Sequence, residues 1–133
     1  MCIRDSYHTD TLGGFIYACD VSEDGRLSNR RLFATIPNEE GYPDGPTCDA
    51  EGCVWTGLYK GWAVRRYSPE GKLIATVRFP VANITKIAFG GAGLRTAYAT
   101  TARKGGDDSA HAGDLFAFEP GVCGIETSRI VIA

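Results

Sequence analysis

The stretch YSPEGKL, residues 67–73, repeats the frame of VSEDGRL, residues 21–27: in each an acid, a glycine, a base and a leucine follow a turn-forming pair. Their glycines lie 46 positions apart (71 minus 25), and a third turn, FEPGVCGI at 118–125, places Gly121 another 50 on (121 minus 71). Around these turns run short segments rich in Val, Ile, Tyr, Phe and Thr: FIYACDV (15–21), CVWTGLY (53–59), LIATVRF (73–79), TAYATT (96–101) and DLFAF (114–118). Such runs, bounded by glycine and proline, read as strands. No run of a dozen residues has a period of 3.6, so the chain is expected to be all-β with only incidental helix. A period in the forties with about four strands in each repeat is the pattern of a β-propeller. An immunoglobulin-like sandwich also uses short strands but lacks this self-similarity.

Composition agrees with one modest domain. The chain has 133 residues, is 44% hydrophobic and 23% charged, and has a formal net charge of −2. Its acids and bases are interspersed, so no basic stripe points to a nucleic acid or an anionic membrane. No segment reaches the roughly 18 apolar residues of a membrane span. A small polar ligand or a protein is the expected partner. Five scattered cysteines without a Cys-x-x-Cys pair argue against a disulfide scaffold or a zinc knuckle. They suit a reducing, cytoplasmic setting, and only Cys48 and Cys53, flanking the turn DAEG, are placed to face each other.

Up-and-down strand order assigns the two ends of each blade. The middle blade reads as Pro46–Ala50, Val54–Leu58, Ala63–Ser68 and Leu73–Phe79, and the last as Thr85–Phe89, Thr96–Thr101, Asp114–Glu119 and a strand from Ile125. The first has its second to fourth strands in YHTDT (7–11), GGFIYACDV (13–21) and RLSNRRLFATI (26–36). Residues 1–6, MCIRDS, are read as a foreign or misread leader, and 7–133 as the C-terminal part of one propeller domain. Asp44, in a Pro-Asp-Gly turn before the first strand of its blade, then shares an end with Tyr59, Lys60, Asn83 and the loop carrying Asp107, Asp108 and His111. Asp24, Asp49, Glu51 and Glu70 fall at the opposite end, as solvated hairpin acids. Trp55 and Trp62 are assigned to packing between blades.

Taken alone, Pro-Asp-Gly is ordinary turn chemistry, with Pro43 presetting φ and Gly45 relieving crowding. Tyr59, Asn83 and His111, the last in a polar loop, are candidates to face a substrate, and Asp10 with Thr11 is explained by bonding between strands. Neither GGAG nor KGGDD has the spacing of a phosphate cradle.

The ordered set YPDGPTCDAEGCVW, FPV, AFGG, AYATTA and AGDLFAFEPGVCGI resembles the C-terminal half of the gluconolactonase family, which includes regucalcin and luciferin-regenerating enzyme. The resemblance runs from about Tyr7 to Ile125. It implies about two full four-stranded blades, plus part of a third, of a six-bladed propeller. It further implies one divalent cation near the central channel, calcium first and zinc, manganese or magnesium as alternatives, and hydrolysis of sugar lactones. The family's aspartate ligand corresponds to Asp44, which is thereby both the metal ligand and the catalytic candidate. The family's glutamate and asparagine ligands have no counterpart here, so the fragment by itself is expected to be inactive. A competing expectation is a non-enzymatic calcium-binding or protein-docking propeller. Open blade edges are also expected to let the chain self-associate.

Overall fold

In the computed structural model the described residues are 5–127 and 132, and they form ten strands with two single 3-10 turns. The strands are β1 (Asp5–Asp10), β2 (Phe15–Val21), β3 (Leu27–Thr35), β4 (Tyr42–Cys48), β5 (Val54–Tyr59), β6 (Ala63–Tyr67), β7 (Leu73–Arg78), β8 (Ile84–Gly90), β9 (Thr96–Thr101) and β10 (Leu115–Phe118). They make three antiparallel sheets in the orders β1-β2-β3, β4-β5-β6-β7 and β10-β9-β8. These are consecutive propeller blades, the middle one complete. Residues 1–4 of the expected leader lie outside the described residues, and Asp5 and Ser6 pair with Asp20 and Cys19 in the first sheet. The strand expected from Ile125 is not formed over Ile125–Thr127, and 128–131 lie outside the described residues. Gly124 instead bridges Asp49 of the middle sheet.

The repeated turn frame has a single hydrogen-bonding plan. Ser22 N donates to Arg26 O (3.0 Å) and Ser68 N to Lys72 O (2.8 Å), and the turn between β4 and β5 does the same from Asp49 N to Cys53 O (3.0 Å). In each turn the glycine N–H donates back to the first residue, with φ of 83° at Gly25, 84° at Gly71 and 78° at Gly52. That left-handed conformation is why glycine recurs there. Gly121 has φ of 75° but is followed by no return strand among the described residues.

The middle sheet is covered on both faces, so β5 reads as an almost unbroken buried run. Leu58, Ala63 and Tyr67 pack against Ile16 and Ala34 of the first sheet and Ile36 just after it, while Trp55 and Val64 pack against Ile84, Ile87 and Ala99 of the third. Trp55 meets Phe89 and Phe118, each with centroids 6.1 Å away. Such aromatic pairs add about 0.5–1.5 kcal/mol beyond their burial. Gly57 permits the close approach of β5 to β8, because a Cβ there would lie 2.7 Å from Ile84 Cγ2. Trp55 therefore holds two blades together, as expected. Trp62 does not: its residue is 45% exposed, at φ of 56°, in the tight turn after β5.

Candidate active site

Asp44 is not in a turn preceding its strand but within the strand. Tyr42, Pro43 and Asp44 pair with Tyr59, Leu58 and Gly57, and the register then shifts before Thr47 pairs with Trp55. Because β4 is the edge strand of its sheet, it tolerates Pro43 and Pro46, which have no N–H to give to a neighbour. The irregularity lets the strand re-aim Asp44. Asp44 N donates to Thr56 Oγ1 (3.2 Å), and Thr56 Oγ1 donates to Asp44 O (3.1 Å), which pins the backbone from below. Gly45, at φ of 52°, lies so close to β8 that a Cβ would fall on the Thr85 carbonyl oxygen and 2.6 Å from Lys86 Cα. Lys86 in turn donates from Nζ to Pro46 O at 2.7 Å.

The Asp44 carboxyl is half-buried, and among the described residues no side chain forms an ion pair with it. Burial raises its pKa above the ordinary aspartate value, while the Gly45 N–H and the Lys86 charge act against that rise. The result is an oxygen-donor group held in place by its backbone and strengthened as a base by partial desolvation.

Tyr59, Lys60, Asn83 and the long loop after β9 come together at the end expected for them. Asn83 is 1% exposed. Its Oδ1 accepts from Lys60 N (3.1 Å), and its Nδ2 donates to Ala102 O (3.2 Å) and Lys104 O (2.7 Å). These three bonds to backbone make Asn83 a fastening of the loop root. Asp107 makes a second fastening: Oδ2 accepts from Ala82 N (2.8 Å) and Oδ1 from Ser109 N (3.0 Å). These bonds, led by the Ser109 hydroxyl, lower its pKa. Tyr59 Oη lies 3.6 Å from where a Gly105 Cβ would stand, which puts the phenol against the loop. Lys60 has a left-handed φ of 61°, a conformation costly for a side-chain-bearing residue and stabilised here by Asn83. His111 is exposed, with Nδ1 3.0 Å from Asp114 Oδ2 and its ring edge-on to Phe116.

At the opposite end the structure corrects one reading. Asp49 is not a solvated hairpin acid but is wholly buried at 0% exposure. Its Oδ1 accepts from Glu51 N (2.9 Å) and Cys53 N (3.0 Å), and its Oδ2 from Trp55 Nε1 (2.8 Å) and Arg66 Nε (2.8 Å). The turn frame alone gives no sign of this, because the equivalent Ser22 and Ser68 also accept from the N–H four residues on. The missed signal was the pair Trp55 and Arg66, which offer a buried N–H and a positive charge in register on adjacent strands. Donor atoms of Asp49, Glu51 and Cys53 lie within 4.8 Å of one another. Arg66 already binds both carboxylates, at 2.7 and 2.5 Å, so a cation there would meet a guanidinium. Cys48 and Cys53 are free thiols, and burial raises the pKa of each.

The SMP-30/Gluconolactonase/LRE-like region matches residues 4–103. A 6-deoxy-6-sulfogluconolactonase of Pseudomonas putida is 36% identical over 100 residues, which are 74% of this chain and 34% of that protein. A pentonolactonase of Haloferax volcanii is 36% identical over 109 residues, 81% of this chain and 38% of that protein. The crystal structure of a calcium-binding protein, regucalcin from Agrobacterium tumefaciens, superposes with a TM-score of 0.82 at 28% identity, covering 91% of this chain and 43% of that one. The chain spans about a third of the length of the curated relatives it matches.

Proposed function

The chain belongs to the SMP-30/gluconolactonase/LRE-like family, and on that premise we propose that the protein carrying it hydrolyses sugar lactones with the help of a divalent cation. The observation that carries this reading is Asp44: a half-buried carboxylate on an inner edge strand, held through its backbone, with no side-chain ion pair among the described residues. Lactonase relatives support the reaction class, and the calcium-binding regucalcin supports the cation.

Opening a lactone adds water to the ring carbonyl carbon and breaks its bond to the ring oxygen, which leaves as a hydroxyl. Asp44 takes the water's proton, and its raised pKa makes it a better base than an exposed aspartate. Its hard oxygen donors fit one position in the shell of calcium, with zinc, manganese and magnesium as alternatives, and water and other groups would fill the rest. When bound, such a cation supplies polarisation of the carbonyl oxygen.

The test is hydrolysis of a five- and a six-membered sugar lactone by the polypeptide carrying these residues, first with chelator and then with each cation restored. We expect hydrolysis that chelator abolishes and a cation restores. Cation binding without hydrolysis would instead assign the protein to the calcium-binding, non-enzymatic reading.

A further inference from the structure

Among the described residues three polar side chains are buried to 1% exposure or less: Asp49, Asn83 and Thr56. The first holds Trp55 and Arg66, and the second holds the root of the loop after β9. Thr56 lies on β5 among the apolar Val54, Trp55 and Leu58, where valine would suit a strand as well. A buried hydroxyl is costly unless it is bonded. That of Thr56 accepts from Asp44 N (3.2 Å), and its single proton has two acceptors, Asp44 O and Gly57 O, each at 3.1 Å. Two of its three contacts are therefore with the peptide groups of Asp44.

This hold falls where β4 has least other support. Asp44 is the last residue paired before the register shifts, and the ladder resumes only at Thr47. The other side of β4 is a sheet edge, with no strand paired to it. Gly57, across from Asp44, has no side chain to contribute, and a Cβ there would meet Ile84. The Asp44 carboxylate forms no ion pair among the described residues, so its own backbone and the neighbouring Gly45 N–H fix where it stands.

We propose that Thr56 is the positioning residue of this site: its hydroxyl, rather than the strand ladder, sets the place of Asp44 and thereby its hold on a cation and its reach to the attacking water. The inference deepens the lactonase reading and rests on it for the reaction, while the placement of Asp44 is argued independently of that reading.

The test compares the parent protein with Thr56→Val, which keeps the shape and removes the hydroxyl, and Thr56→Ser, which keeps the hydroxyl. Thr56→Ala removes the hydroxyl with less bulk and serves if the valine variant does not fold. Ile16→Val, which loosens the packing of Leu58, Ala63 and Tyr67, is the control for a merely weakened fold. Each is read by amide hydrogen exchange at Asp44 without cation, by calcium affinity in calorimetry, and by kcat/KM for a sugar lactone with calcium saturating. Losing a group that orients a metal ligand costs about 10–100-fold in affinity or activity. Thr56→Val should lose that much in both, with exchange at Asp44 about tenfold faster or more, and Thr56→Ser should recover all three. Ile16→Val should match the parent in affinity and rate. Unchanged affinity and rate in Thr56→Val overturn the proposal, as does an equal loss in Thr56→Ser or Ile16→Val. Calcium affinity that falls in Thr56→Val, in a protein that opens no lactone, would sink the lactonase reading and leave this inference standing. Lactone opening at the parent's rate in Thr56→Val would do the reverse. A parent that neither binds calcium nor opens a lactone overturns both.

Discussion

Replacing Asp49 by alanine tests the interior of the middle blade. The wild-type carboxylate has no solvent exposure and accepts from two backbone amides, the Trp55 indole and Arg66. Removing it leaves the buried Trp55 N–H unpaired, at a cost of about 1–3 kcal/mol. Breaking a buried ion pair on one side costs about 3–5 kcal/mol. Arg66 keeps Glu51 as a partner, at 2.5 Å, which places the sum near the lower range. We expect a loss of about 4 kcal/mol, a large part of the roughly 5–15 kcal/mol of an ordinary domain. In urea unfolding followed by circular dichroism the midpoint should fall by roughly 2 M for a slope near 2 kcal/mol/M. Asp49→Asn, which keeps the shape, should retain enough stability for a cycle with Trp55→Phe, with a coupling of about 1–2 kcal/mol. Asp24→Ala, in the exposed sister turn, should cost less than about 0.5 kcal/mol. An Asp49→Ala variant that loses no more stability than Asp24→Ala would refute the burial role, as would additivity of Asp49→Asn with Trp55→Phe.

Three further outcomes follow from other contacts. Gly45→Ala would force β4 away from Thr85 and Lys86 and, with the left-handed backbone, should cost more than about 2 kcal/mol, read by thermal unfolding. Asn83→Ala removes the acceptor of the Lys60 amide and two bonds to the loop root, so hydrogen exchange at Lys60 should accelerate by roughly tenfold or more while the Val54 and Trp55 amides stay protected. Unchanged exchange at Lys60 would refute the fastening role. Burial pushes the Tyr7 phenol up to about 12. The folded state therefore holds that proton more tightly than the unfolded chain, and the stability it contributes is complete below pH 10 and is lost between 10 and about 12. Tyrosinate absorbance and urea midpoints over that range check the sign.

Much of the architecture was legible because it is local. The frames at 22–26 and 68–72 fold as hairpin turns wherever they occur, since glycine alone takes the left-handed position cheaply. Strand β9 needs only its β-branched and aromatic residues to announce itself, and its bounds match the expected ones. Asp44 was placed in the right neighbourhood but the wrong local structure, since Pro-Asp-Gly signals a turn unless the strand has a free edge. That freedom depends on the order of strands in the sheet, not on neighbours in sequence. Asp49 was misread for the same reason: its burial is set by Trp55, Arg66 and the bridge to Gly124. The fastening by Asn83 was equally silent, because its three partners lie 19 to 23 residues away.

The central claim is that Asp44 carries the chemistry, and the most direct measurement is kcat/KM for hydrolysis of a sugar lactone by Asp44→Asn beside the unsubstituted protein, with cation present and the fold checked by circular dichroism. The account predicts a fall of at least about a hundredfold, the usual scale for a lost general base. A variant as active as its parent would contradict it and return Asp44 to a structural role on the edge of β4.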